Sequence, residues 1–170
     1  MESINVCFST SSGIFSRVIR WFTRSKVSHA LITFRDQTLD KVFVMEANGR
    51  GFMLVPWSKW RQSHTMVARY RLTVPQGMQS FSLRELAQSL GAQYDYVSVL
   101  GFFFRRWYRR MRNPFDDPNK LVCSEAVARF LANSGIKRFE NHGTWTPEDI
   151  LGEAQKGEEF ILEESASNES

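Results

Sequence analysis

Apolar and polar positions along this chain fall into short strand-like runs first and helix-like runs later. Ile4–Ser9 alternates apolar and polar side chains, the period of a half-buried strand. Val27–Phe34 and Val42–Ala47 are rich in strand formers, and the polar stretch Arg35–Lys41 between them predicts a β-hairpin. Asn48-Gly-Arg-Gly51 breaks the second strand, and another strand is expected near Thr65–Leu72. Ile14–Arg24 has helical spacing, with Ile14, Val18, Trp21 and Phe22 on one face and Arg17, Arg20 and Arg24 on the other. Ser82-Leu-Arg-Glu85 reads as a capping box that opens a helix, with Leu83, Leu86, Ala87 and Leu90 on its apolar face and Gly91 as its stop. A further helix is expected from Cys123, where Ala126, Val127, Phe130 and Leu131 share a face and Gly135 ends the run. Thr146-Pro-Glu-Asp149 starts the last helix, with Thr146 as N-cap, Pro147 in the first helical position and Asp149 as capping partner. With strand and helix runs both present, the expected class is α+β.

Composition narrows this picture. A chain of 170 residues is long enough to bury one proper core. The sequence predicts one domain over residues 1–162 and an acidic, unstructured tail over 163–170. No run is apolar and long enough to span a bilayer, and the N-terminus lacks a basic region followed by an apolar one. A cytoplasmic location is the expectation, and two cysteines suit a reduced compartment. The net charge of +4 conceals an asymmetry: Glu153–Ser170 carries −5, which leaves +9 on the rest. A basic body suits an anionic partner.

Cys123 is the most informative single residue. A thiol in the first turn of a helix faces unpaired backbone N–H groups and the positive end of the dipole, which favours thiolate. A free cysteine is more often just a small buried apolar residue. A nucleophile needs a base, and the base needs an orienting group. Of the three histidines, His29 opens a strand, while His64 and His142 lie in polar stretches and read as surface residues. Antiparallel pairing about a turn centred near Gln37 or Thr38 puts Glu46 opposite His29, where a carboxylate can hold the second imidazole nitrogen. No Cys/His pair has metal-ligand spacing, so neither a metal nor a cofactor is expected.

These residues resemble a known family. Ser28-His29-Ala30, Glu46-Ala47, Gly91-Ala-Gln-Tyr94-Asp95 and Val122-Cys123-Ser124-Glu125 are similar to motifs of the permuted NlpC-type papain-like hydrolases. YiiX-like proteins and lecithin:retinol acyltransferase are relatives in that group. Its histidine hairpin precedes its cysteine helix, the order seen here. Arg20–Ser25 and Thr146–Asp149 also resemble segments of the family. The resemblance implies a circularly permuted papain-like fold, with a bent antiparallel sheet packed on the cysteine-bearing helix. It implies Cys123 as nucleophile, His29 as general base, Glu46 as orienting group and Tyr94 as a residue near the scissile carbonyl. The implied reaction is acyl-enzyme hydrolysis of an amide bond, as in cell-wall peptides.

Two other readings stand beside it. The segment Tyr96–Asn119 is longer and more aromatic than the family pattern. Within Phe102–Arg112, Phe104, Trp107, Tyr108 and Met111 share one helical face among five arginines. Such a helix suits an anionic membrane surface, and it motivates a lipid acyl-ester hydrolase or acyltransferase. It also suits a lid, or a packed helix with a solvated face. A non-enzymatic module binding a membrane or an anionic partner is the third class. No nucleic-acid motif is present, and nucleic acid is not an expected partner.

Overall fold

A computed structural model describes residues 4–11, 16, 17, 20, 21, 25–94 and 120–165. Its strands are β1 (Asn5–Ser11), β2 (His29–Asp36), β3 (Lys41–Asn48), β4 (Gly51–Pro56), β5 (His64–Leu72) and β8 (Phe160–Ser165), with the short pair β6 (Gln93–Tyr94) and β7 (Lys120–Leu121). The helices are α1 (Trp57–Trp60), α2 (Gln76–Ala87), α3 (Cys123–Asn133) and α4 (Pro147–Lys156). Six strands form an antiparallel sheet in the order β4-β3-β2-β1-β5-β8, and β6 pairs with β7 in parallel. The class is α+β.

Strand alternation sorts side chains to two faces. Val6, Phe8, Ala30, Ile32, Met45 and Ala47 join the main core with Val127, Phe130 and Leu131 of α3 and Leu83 and Leu86 of α2. Cys7, Leu31 and Val44 point the other way and enclose Trp60. Glu46 keeps step with Val44, and His29 with Leu31, so both lie on the Trp60 face by register. The β2–β3 hairpin pairs Ile32 with Met45 and Asp36 with Lys41, a pairing shifted by two residues from the expected one of Glu46 opposite His29. A slip of two preserves the face, whereas a slip of one would have separated the pair.

Four sequence expectations need correction. The helix α2 begins at Gln76, behind Pro75, and not at the Ser82 capping box. Ser82 lies inside the helix, fully buried, and its hydroxyl donates to the Phe130 carbonyl of α3 at 3.0 Å. The acidic end is structured as far as Ser165: Glu163 and Glu164 continue β8 and pair with Arg71 and Arg69 at 3.3 and 3.4 Å. The expected boundary at 162 therefore falls within a strand, because β5 presents basic side chains to the acidic run. Trp21, expected on an apolar face, is 81% exposed. Ser16 is buried instead, bonded to the Ser28 hydroxyl at 2.7 Å and the Ser11 N–H at 3.1 Å. Finally, β4 and β8 had no expected counterpart. The predicted last helix forms with its full capping box, Thr146 and Asp149 bonding reciprocally. Most of Ile14–Arg24, and all of Phe102–Arg112, lie outside the described residues.

Candidate active site

Cys123 is the first residue of α3, after Val122 in extended conformation. His29 is the first residue of β2, and Glu46 lies near the end of β3. The chain enters β2 along a fixed path. Ser25 bonds to the Val27 backbone in both directions, and the Ser28 N–H donates to the Ser9 carbonyl at 3.0 Å. His29 thus stands at the sheet end where α3 packs on β2, near enough to Cys123 for the charges of the two side chains to act on each other.

The other ring nitrogen is occupied. His29 Nε2 meets Glu46 Oε2 at 2.8 Å, with the two side chains 14% and 2% exposed. That leaves Nδ1 as the ring nitrogen not engaged by Glu46. Glu46 is fully engaged: Oε2 also accepts from the Trp60 indole N–H at 2.9 Å, and Oε1 accepts from Asn48 Nδ2 at 2.7 Å. A buried carboxylate needs such partners, since an unpaired one carries a large desolvation cost.

The charges follow from these contacts. Burial alone would raise the Glu46 carboxyl, but the bonds from His29, Asn48 and Trp60 and the His29 charge bring it down to about 2. Burial alone would lower His29, but the Cys123 charge and hydrogen bond, with those of Glu46, raise it to about 10. For Cys123, burial is outweighed by the His29 charge and bond and by N–H groups of Ala30 and Ser124, so its thiol is shifted down. The pair therefore favours thiolate and imidazolium. Cys7 is the contrast. Burial pushes its thiol up to about 11, opposed only in part by the Thr33 hydroxyl at 3.4 Å.

Three residues of this neighbourhood had no sequence signal. Trp60 sits on a four-residue helix too short to show periodicity. Asn48 read as a strand breaker. His64 read as a surface residue, yet its ring stacks on Trp60 at 4.9 Å and lies 6.3 Å from His29. His142 stays apart and bonds the Phe139 carbonyl at 2.8 Å. The Tyr94 backbone pairs with Leu121, two residues before Cys123. Its side chain lies outside the described part.

Gly51 explains that approach. Its φ of +115° and the Ala92 carbonyl only 2.6 Å from any added Cβ leave room for glycine alone. Phe52 and Ala92 then bond at 2.8 Å, which holds the segment leading to Tyr94 against β4.

Comparison with solved structures finds a similar architecture in the metalloprotein yiiX from Escherichia coli O157:H7. The two share a TM-score of 0.64 and 16% identity over 96% of each chain. This chain's fold is YiiX-like. No protein-family profile matches the sequence, and no curated protein matches it. Among the described residues, no three His, Cys, Asp or Glu side chains are grouped to hold a metal ion. The acceptors of Glu46 are taken by His29, Trp60 and Asn48, so the donor set does not fit a metal here. Also among the described residues, no helix is long and apolar enough to cross a membrane.

Proposed function

We propose that the chain is a papain-like cysteine hydrolase of the permuted type, acting through an acyl-enzyme on an amide bond. One observation carries this reading. His29 is held at 2.8 Å by the buried Glu46 carboxylate, and Cys123, from a third element, is near enough for its charge and that of His29 to act on each other. The YiiX-like fold supports it, and so does the order of the motifs in sequence.

In this reading the Cys123 thiolate attacks the carbonyl carbon. The backbone N–H groups at the start of α3 face the developing oxyanion. His29, as imidazolium, protonates the leaving amine, and the acyl group stays on sulfur. Water, deprotonated by the now neutral His29, then attacks the thioester, releases the acid and restores the thiolate beside the imidazolium. Glu46 fixes the ring tautomer and stabilises its charge throughout. Peptides of cell-wall type are the first substrates to try. The aromatic and basic run Phe102–Arg112 motivates the ester reading, with lipid acyl chains as substrate.

A panel of peptide amides and acyl esters, followed by intact-mass detection of acylated Cys123, tests both. Turnover that falls by roughly a thousandfold or more in Cys123→Ala and His29→Ala supports the enzyme reading. Amide products favour the peptidase, and ester products with binding to anionic vesicles favour the lipid enzyme. Full turnover in Cys123→Ala overturns Cys123 as the nucleophile, and no turnover or acyl adduct on any substrate leaves the non-enzymatic module.

A further inference from the structure

Trp60 is one of the largest fully buried side chains. Its indole stacks with Trp57 at 5.0 Å and 17° and with His64 at 4.9 Å and 8°. Cys7, Leu31 and Val44 close the rest of its surroundings. A ring held this way has one orientation, and that orientation aims Nε1–H at Glu46 Oε2, 2.9 Å away. The same oxygen accepts from His29 Nε2 at 2.8 Å. Two donors therefore converge on a single carboxylate oxygen, while Asn48 holds the other at 2.7 Å.

We infer that Trp60 is a positioning residue of the dyad: its fixed indole N–H sets the rotation of Glu46, and through Glu46 the orientation and charge of His29. The inference deepens the hydrolase reading above and rests on it for its catalytic meaning. The physical argument is one of constraint. A carboxylate at the end of a flexible Glu side chain follows three rotatable bonds, the last of which turns the planar group itself. Asn48 alone pins one oxygen and leaves the group free to swing about it. A donor carried on a buried, doubly stacked ring removes that freedom, so the second oxygen stays on the His29 axis. The charge-assisted bond also lowers the Glu46 carboxyl and keeps it ionised. An ionised, correctly turned Glu46 in turn holds His29 as imidazolium, and that stabilises the Cys123 thiolate.

The full chain carrying Trp60→Phe tests this, because phenylalanine keeps a stacked ring and loses only the N–H and part of the volume. Trp57→Phe is the control that disturbs the same stack and leaves the N–H in place. Nuclear magnetic resonance titration of His29 gives a readout that does not depend on turnover. The expected result is a His29 midpoint lowered by about one pH unit in Trp60→Phe and unchanged in Trp57→Phe. The pH midpoint for Cys123 alkylation should rise by a similar amount. In the wild type, the Trp60 indole N–H resonance should move with the His29 titration, an observation that needs no variant. An unmoved His29 midpoint in a folded Trp60→Phe, or an indole resonance silent across the His29 titration, overturns the positioning role. Slow wild-type alkylation of Cys123 instead overturns the hydrolase reading, whatever the indole does. The two failures are therefore separate.

Discussion

At the scale of single residues, Glu46 does the most with the least exposure. It is buried, charged and answers three donors, from His29, Trp60 and Asn48. Its charge and its geometry separate under substitution. Glu46→Gln keeps one carbonyl oxygen for His29 and Trp60 but loses the charge that favours imidazolium. Turnover should fall by roughly tenfold, and the His29 midpoint should drop. Glu46→Ala also removes the acceptor that His29, Trp60 and Asn48 share. Its turnover should fall by roughly a hundredfold or more, with about 2–4 kcal/mol of stability lost in a denaturant titration. Equal effects of the two variants would contradict the assignment of both roles. The meeting of His29 with Glu46 was legible in the sequence, because each sat at the edge of a recognisable element. Trp60 was not. Its importance comes from a fold-dependent meeting with Glu46 that no local pattern records.

Elements show where local pattern and packing part company. The last helix α4 follows its N-terminal signal to the residue. Thr146 accepts from the Asp149 N–H at 3.1 Å while Asp149 accepts from the Thr146 N–H at 3.0 Å. Thr146→Ala should cost about 1 kcal/mol, read as a lower denaturation midpoint with an unchanged slope. The helix α2 disobeys a similar signal. Its Ser82 and Glu85 fit a capping box, but Pro75 starts the helix earlier, and Ser82 serves instead to bond α3. The hairpin was legible in its existence and its face, and missed by two residues in its register. The strand β4 was not legible, since Asn48-Gly-Arg-Gly51 read as a break, not as the turn of a second hairpin. Gly51 is the element-scale test of how Tyr94 is delivered. Gly51→Ala puts a methyl against the Ala92 carbonyl in a backbone region hostile to side chains. Amide exchange at Phe52 and Gly91 should accelerate at least tenfold while α4 stays protected. Unchanged exchange would show that the close approach is dispensable.

Across the whole molecule, the buried charges tie stability to pH. Glu46, with its carboxyl lowered to about 2, contributes stabilisation that is present above the ordinary carboxylate range and is lost as pH falls through about 2. His29, raised to about 10, contributes stabilisation that is complete below the ordinary imidazole value and is lost as pH rises through about 10. The stability gap between wild type and Glu46→Gln should therefore grow from about pH 2 to about pH 5, hold level, and shrink near about pH 10. A gap that does not vary with pH would contradict the ion-paired site. The class of the fold was legible because strand and helix periods are written locally. The sixth strand was hidden in the acidic end, which looks unstructured until the basic side chains of β5 face it. The measurement that reaches the central claim most directly compares the two thiols. Iodoacetamide at about pH 6, with peptide mapping of the native protein, should alkylate Cys123 rapidly and spare Cys7, and His29→Ala should slow Cys123 to the rate of Cys7. Equal, slow labelling of both cysteines, or fast labelling of Cys123 that ignores His29→Ala, would contradict the account.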